Sequence, residues 1–518
     1  AALTVCDRNQ RIPLSIPQQR LWLLDQIEPG NPAYHVPSVI RVNGALDIKV
    51  LGDAFSAVVN RHEGLRAIFA EDGQGPHQII QPEQVWPVQQ IDAGADRSEE
   101  SIRKQVAGLV MRPFDLEQGP LFRAAIIQID AQQSILVVVL HHIVTDGWSN
   151  GILVRDLAQA YAQLKSGGRL QFAPLPLQYA DFAAWQRNTL SDENLTQKMA
   201  FWRNTLGDVP TLELPTDFRR PPVQTFRGAS VRLELSFETT EKLQQLGIES
   251  QSTLFMVLLA AYASLLQKYS GQDDFSIGTP VAGRDRPELE SIVGFFVNTL
   301  ALRVTPQATM SFRQLLDTVR DTALASFEHQ DVPFEQIVED INPLRDMSRA
   351  PLFQVMLVYQ NIPQDQDTGI TQTQVGDISL APFSLDIETA KFEQTLTLWP
   401  HQNRIGGSLT YNTDLFEAET AQQFVRHFER LCAAIAHNPD APLHQLKVLD
   451  RGEAQKQIVI WNDTARDYRR ELTVQGLIRE SALRYSDRVA VRCGDTQLTH
   501  GQLDQLSTAL ANQLLANG

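Results

Sequence analysis

Ser134-Ile-Leu-Val-Val-Val-Leu-His141-His142-Ile-Val-Thr-Asp146-Gly147-Trp148-Ser149 is the stretch from which the chain is best read. The apolar, β-branched run from Ile135 to Leu140 predicts a buried strand. Beyond Ser149 the period changes: Ile152, Leu153, Leu157, Ala160, Tyr161 and Leu164 recur at helical spacing, with Asp146 or Ser149 as candidate N-cap. The segment is strand, turn, helix, and its polar chemistry is crowded into the turn, where a rigid frame can hold catalytic groups.

Four readings of the turn compete. In the plainest, His141 and His142 are strand-end histidines, one of them buried and hydrogen-bonded. A second makes a metal site of the pair with Asp146, but neighbouring side chains on a strand face opposite ways, so no metal is expected. A third takes Gly147-Trp148-Ser149-Asn150-Gly151 as the G-x-S-x-G elbow of a serine hydrolase or thioesterase using Ser149, although several residues separate it from the strand. In the fourth, His142 is the acid/base, accepting a proton from an attacking amine or hydroxyl, while His141 faces the core and stiffens the turn. Asp146 then pairs with an arginine, and Gly147 lets a backbone N–H approach a carbonyl oxygen.

The pattern His-His-x-x-x-Asp-Gly-Trp-Ser resembles the core motif of nonribosomal peptide synthetase condensation domains, whose superfamily includes the chloramphenicol and carnitine acyltransferases. Further stretches carry the resemblance in order: Ser15-Ile-Pro17-Gln18-Gln19-Arg20-Leu21-Trp22, with Pro17 where Ala is usual; Arg61-His62-Glu63-Gly64-Leu65-Arg66-Ala67-Ile68-Phe69; Tyr179-Ala-Asp181-Phe182-Ala-Ala-Trp185; Ile292-Val-Gly294-Phe295-Phe296-Val297-Asn298-Thr299; His329-Gln330-Asp331-Val332-Pro333-Phe334-Glu335; and Arg345-Asp346-Met347-Ser348-Arg349-Ala350-Pro351-Leu352-Phe-Gln354. Arg61 and Arg66 read as structural. Arg284, after the strand-and-loop segment Asp274 to Gly283, is the expected partner of Asp146 in a structural ion pair. Trp148, Ser149, Asn298 and Arg20 are candidates for lining the cleft, with Asn298 in an otherwise apolar strand.

What the resemblance implies is an α/β fold of two chloramphenicol-acetyltransferase-like lobes in a V-shaped pseudo-dimer, residues 1–175 and 176–450, divided near Pro174-Leu-Pro176. Residues 451–518 resemble a linker, Trp461-Asn462-Asp463-Thr464-Ala465, and the first motif of an adenylation domain at Leu498-Thr499-His500-Gly501-Gln502-Leu503. No phosphate loop or ATP-binding lysine follows, so this piece is expected not to activate amino acids. The implied reaction joins a donor acyl or peptidyl thioester to the amine of an aminoacyl thioester. Both are presented on phosphopantetheine arms of carrier proteins, with no tightly bound cofactor. Pro351-Leu-Phe-Gln-Val-Met-Leu-Val-Tyr-Gln-Asn361 resembles domains that take L-configured donors, or lipid-starter domains that take a fatty acyl group from coenzyme A or a carrier. No carrier precedes residue 15, which suits a starter domain and equally a shortened chain. A relic that only docks carriers is a third possibility, opposed by the intact His142 and Asp146.

Composition narrows the classes. The 518 residues are 43% hydrophobic and 20% charged, with net charge −16. That balance disfavours nucleic acid and anionic membrane as partners, and no apolar run reaches the roughly 18–20 residues of a membrane helix. Cys6, Cys432 and Cys493 have no metal or disulfide spacing and suit a reducing cytoplasm.

Overall fold

The computed structural model describes residues 2–189, 192–341, 346–360, 373–375, 378–383 and 388–518. Arg345 and Asn361, which belong to motifs quoted above, lie outside the described residues. The architecture is mixed α/β, in two units, residues 2–448 and 449–518.

In the larger unit a six-stranded sheet runs in the order Thr373–Val375, Ile378–Pro382, His35–Asn43, Gln133–His141, Phe122–Gln128, Gln89–Asp92. Its central strand, Gln133–His141, pairs antiparallel with both neighbours. The unbroken apolar run is explained by burial on both faces. Ile135, Val137 and Val139 pack in one cluster with Val106, Val110 and Phe114, beside the helix Glu99–Met111. Leu136 packs in another with Phe55 and Tyr161, from the helices Ile48–Arg61 and Gly147–Lys165. Burying each such side chain is worth about 1.5–3 kcal/mol before chain entropy is counted. The strand Ile378–Pro382 comes from far along the chain yet pairs with His35–Asn43.

A seven-stranded sheet has the order Asn298–Val304, Phe275–Val281, Val355–Tyr359, Gln394–His401, Arg404–Asn412, Arg227–Leu235, Glu388–Thr389. The helix Leu254–Ser270 is capped by Thr253 and buried along most of its length, which accounts for its being apolar all round. It stops at Gly271, whose φ of +71° is the left-handed cap position that glycine fills without strain. Among the described residues no single helix is long and apolar enough to cross a membrane.

One expectation changes. The strand through Asn298 begins there, at Asn298–Val304, and residues 292–297 are irregular. Their backbone groups are committed to the turn: Gly294 N–H and C=O bond Ser149 Oγ, and Phe296 N–H bonds Asp146. They are not free for a ladder.

The smaller unit holds the helices Arg451–Gln455, Val474–Arg484 and His500–Ala516 and a hairpin of Val489–Cys493 with Thr496–Thr499. Leu506, Leu510 and Leu514 form an exposed apolar stripe on its last helix.

Candidate active site

The orientation of the two histidines follows from strand geometry. Side chains alternate along Gln133–His141, so His141 continues the row of Ile135, Val137 and Val139. It is buried among the rings of His35, Phe114 and Tyr34, with centroids 6.4, 6.0 and 6.5 Å away. Its Nδ1 accepts from Ile143 N–H at 3.2 Å. Burial, helped by the neighbouring histidines, pushes its pKa down to about 3, so it is neutral and structural.

His142 lies past the strand end, in a single 3-10 turn, His142–Val144, and is only half-buried. Its Nδ1 is 2.8 Å from Thr145 C=O. A carbonyl only accepts, so Nδ1 carries the hydrogen and Nε2 is left with a lone pair. The ring meets Phe295 edge-on at 4.7 Å. Burial, then the charge of Lys391, pushes its pKa down to about 4 against the opposing Thr145 bond. At neutral pH His142 is an uncharged imidazole with an unused proton-accepting nitrogen.

Asp146 holds this turn. It is the N-cap of Gly147–Lys165, and its Oδ1 accepts from Ser149 N–H at 2.8 Å and Ser149 Oγ at 2.7 Å. Its Oδ2 accepts from Phe296 N–H at 3.0 Å and Arg284 Nη1 at 3.1 Å. Arg284 Nη2 also reaches Ser149 Oγ and Ile292 C=O, each at 2.9 Å. The guanidinium lies 4.0 Å from the Phe296 ring and 5.9 Å from Trp148. Arg284 is aimed inward by Gly283, whose φ is +63° and where a Cβ would stand 2.1 Å from Phe296 C=O.

Ser149 does not line a cleft. It is fully buried, and its hydroxyl is shared among Asp146, Gly294 and Arg284, with no imidazole among these partners. A hydroxyl without a base or access is no nucleophile, and this removes the hydrolase reading. Asn298 borders a cavity with Phe182, Trp185 and Arg284, but its amide is used up. It donates to Gln330 and Val332 C=O at 2.8 and 2.7 Å and accepts from Thr299 and Phe334 N–H. Arg20 bonds Glu335 at 2.8 Å, tying the helix Ile16–Ile27 to Phe334–Ile341. Trp148 is half-buried and donates Nε1–H to Glu290 C=O at 2.9 Å. Gly147 is exposed, and a Cβ there would meet nothing within 4 Å. Among the described residues no cluster of His, Cys, Asp and Glu could hold a metal.

Several participants have no readable role in sequence. Tyr179 O–H bonds Ser15 Oγ at 2.8 Å and Phe295 C=O, and its ring fills the space a side chain at Gly294 would need. Gln18 Nε2 donates to Ile143 C=O at 3.2 Å, so the first motif braces the turn directly. Asp156 on the helix after the turn accepts from Arg61 and His62, both at 3.0 Å. Apart from Asp156, these positions lie in the quoted motifs, but residues about ninety to more than a hundred and sixty apart carry no sequence sign of their contact. Lys391 belongs to none of those motifs. Beneath the turn, Phe55, Phe122, Leu140, Asn150, Leu153 and Leu157 are among the residues around a nearly wholly apolar cavity with about 640 Å³ of empty space, its open mouth included.

Comparison with known proteins agrees with this geometry. A family profile described as "Condensation domain" matches residues 8–458. Three linear gramicidin synthase chains from Brevibacillus parabrevis are 40–41% identical over 99–100% of this chain. The chain spans only 7–10% of the length of those relatives. The X-domain from teicoplanin biosynthesis superposes with a TM-score of 0.79 at 28% identity, over 87% of this chain and 100% of that one. A four-domain nonribosomal peptide synthetase bound to AMP and glycine superposes with a TM-score of 0.80 at 25% identity, over 98% of this chain and 39% of that one.

Proposed function

The chain belongs to the condensation-domain family of nonribosomal peptide synthetases, amide-forming acyltransferases, and we propose that it joins a donor acyl or peptidyl thioester to the amine of an aminoacyl thioester held on a carrier protein. The observation that carries the assignment to this site is the neutral His142, with Nδ1–H fixed by Thr145 and Nε2 free. The acceptor amine attacks the thioester carbonyl, His142 Nε2 orients the amine and takes its proton, and the thiol leaves. A thioester is already activated, so positioning two tethered reactants supplies much of the acceleration, up to about 7–11 kcal/mol. His141, Asp146 and Arg284 hold the turn. In this reading the Gly147 N–H, at the opening of the helix, meets the donor carbonyl oxygen.

The partners in this reading are donor and acceptor carriers with their phosphopantetheine arms, and an adenylation domain that begins within residues 451–518. The apolar stripe Leu506, Leu510, Leu514 suits a helix that packs against more of such a domain. Residues 1–175 and 176–450 are read as the two lobes, with Thr373–Val375 and Ile378–Pro382 of the second crossing to the sheet of the first, and the three free cysteines suit the cytoplasm. Within the family, a plain elongating domain with an L-configured donor is the first choice. A lipid-starter domain is the second, favoured by the apolar cavity behind Leu140.

The test is a two-carrier assay. One carrier bears an aminoacyl group, and an aminoacyl-carrier, an acyl-carrier or octanoyl-coenzyme A is offered as donor, with wild type run against His142→Ala. Amide product that collapses in the variant is expected, and the productive donor names the subtype. Amide formed equally by the variant would remove His142 from the mechanism.

A further inference from the structure

We propose that Phe295 is a positioning residue for His142: its ring is the wall that fixes the plane of the imidazole about the bond from Nδ1 to Thr145, and so aims the free Nε2. This role presupposes the acyltransfer reading, which itself makes no use of Phe295.

A single hydrogen bond is a hinge. The bond from His142 Nδ1 to Thr145 C=O, at 2.8 Å, holds one corner of the ring. A carbonyl oxygen accepts over a broad range of directions, so the ring plane is still free to swing. A second contact must stop the swing, and Phe295 makes it. Its ring stands edge-on to the imidazole, with centroids 4.7 Å apart and planes at 64°. That is the separation and tilt at which aromatic rings attract.

A wall aims a ring only if the wall itself is fixed. Phe295 lies in the irregular segment 292–297, outside any strand ladder, yet its backbone is pinned at three successive residues. Gly294 N–H donates to Ser149 Oγ at 3.1 Å. Phe295 C=O accepts from the Tyr179 hydroxyl, which is bonded in turn to Ser15 Oγ at 2.8 Å. Phe296 N–H donates to Asp146 Oδ2 at 3.0 Å. Consecutive rings part here. Phe296 is buried against Arg284, Tyr179 and Phe182, at 4.0, 4.8 and 4.6 Å. Phe295 meets His142. It also packs against both the apolar cluster of Ile143 and Val144 and the one around Tyr179. Asp146 thus governs both restraints on the imidazole: it follows Thr145 in the turn, where it caps the next helix, and it holds the backbone of the wall.

The chemistry depends on that aim. The Nε2 lone pair lies in the ring plane and must point at the amine whose proton it takes. A swing about Nδ1 displaces Nε2 more than any atom near the hinge, because Nε2 is on the far side of the ring. A misplacement of about 1 Å in such a geometry can cost about a hundredfold in rate.

The experiment compares wild type with Phe295→Leu, Phe295→Val and Phe295→Ala in the full chain, isotope-labelled at the histidine ring nitrogens. Proton–nitrogen NMR spectra read the tautomer of His142, assigned by its loss in His142→Gln. Wild type should show one tautomer, with the hydrogen on Nδ1. With the wall cut back to valine or alanine, the ring should leave the Thr145 bond part of the time. Its signals should then move toward those of free imidazole, where the hydrogen favours Nε2. In the two-carrier assay kcat should fall about tenfold or more in Phe295→Ala, with KM for each carrier within about twofold of wild type. Phe295→Leu keeps most of the bulk and should recover most of the rate and the Nδ1–H tautomer. Phe295→Val carries the same expectations as alanine if the alanine variant does not fold. A purely structural role would lower the melting temperature and leave kcat and the nitrogen signals of the folded protein as they are in wild type. The proposal is overturned by that outcome, by a loss confined to KM, or by a leucine variant as impaired as the smaller ones. The spectra need no substrate. A wild type that makes no amide would sink the acyltransfer reading, while the nitrogen signals still decide whether Phe295 holds the ring.

Discussion

Arg284 Nη1 lies 3.1 Å from Asp146 Oδ2, and the two side chains are 1% and 0% exposed. A pair so deeply buried fixes geometry, since removing one partner strands the other charge in a medium that solvates it poorly. Asp146→Asn should lower unfolding stability by about 3–5 kcal/mol, read as a shift in the urea midpoint, and amide formation should fall with the loosened turn. A variant with wild-type stability would show that the pair does not hold the turn.

Ser149 is a brace in the same network. Ser149→Ala leaves Gly294 N–H and one Arg284 donor without their partner, a loss of about 1–3 kcal/mol. Below its melting temperature the variant should still form amide. Loss of all turnover in a folded Ser149→Ala would restore the hydroxyl to the chemistry.

Gly147 stands exposed at the first turn of its helix, beside two fully buried residues, Asp146 and Ser149. Gly147→Leu should fold as well as wild type or slightly better, since leucine is the stronger helix former. Its side chain would enter the open space at the start of the helix, where the donor carbonyl is proposed to bind, and amide formation should drop by about tenfold or more. Unchanged turnover would place the reacting groups elsewhere.

Acid stability follows from the two imidazoles. His141 and His142 are held at about 3 and about 4 in the fold, against about 6.5 in the unfolded chain. Between these values the unfolded state binds the protons and the folded state does not. Their contribution is therefore complete above about pH 6.5 and is lost as pH falls, by up to about 1.4 kcal/mol per pH unit for each ring. Urea midpoints at pH 7, 6 and 5 should fall, and His142→Gln, with one fewer titrating ring, should fall less steeply.

The sequence by itself determined the family and the local frame of the site. The apolar run from Ile135 to Leu140 read as a buried strand ending in two histidines, and the alternation of side chains let only one of them, His142, face the cleft while His141 faced the core. Those are consequences of backbone geometry over a few residues, and a local pattern records them fully. It did not carry the reach of the irregular segment 292–297, whose backbone bonds go to Ser149 and Asp146 rather than to a neighbouring strand. Nor did it show that Asn298 spends its amide on Gln330 and Val332, that Tyr179 and Ser15 lock together, or that Lys391 projects toward Tyr34. Each of these joins groups distant along the chain, or depends on which of several polar groups a buried atom bonds. Such choices are settled only when the sheets and helices close around a shared interior, where every buried polar group must find a partner.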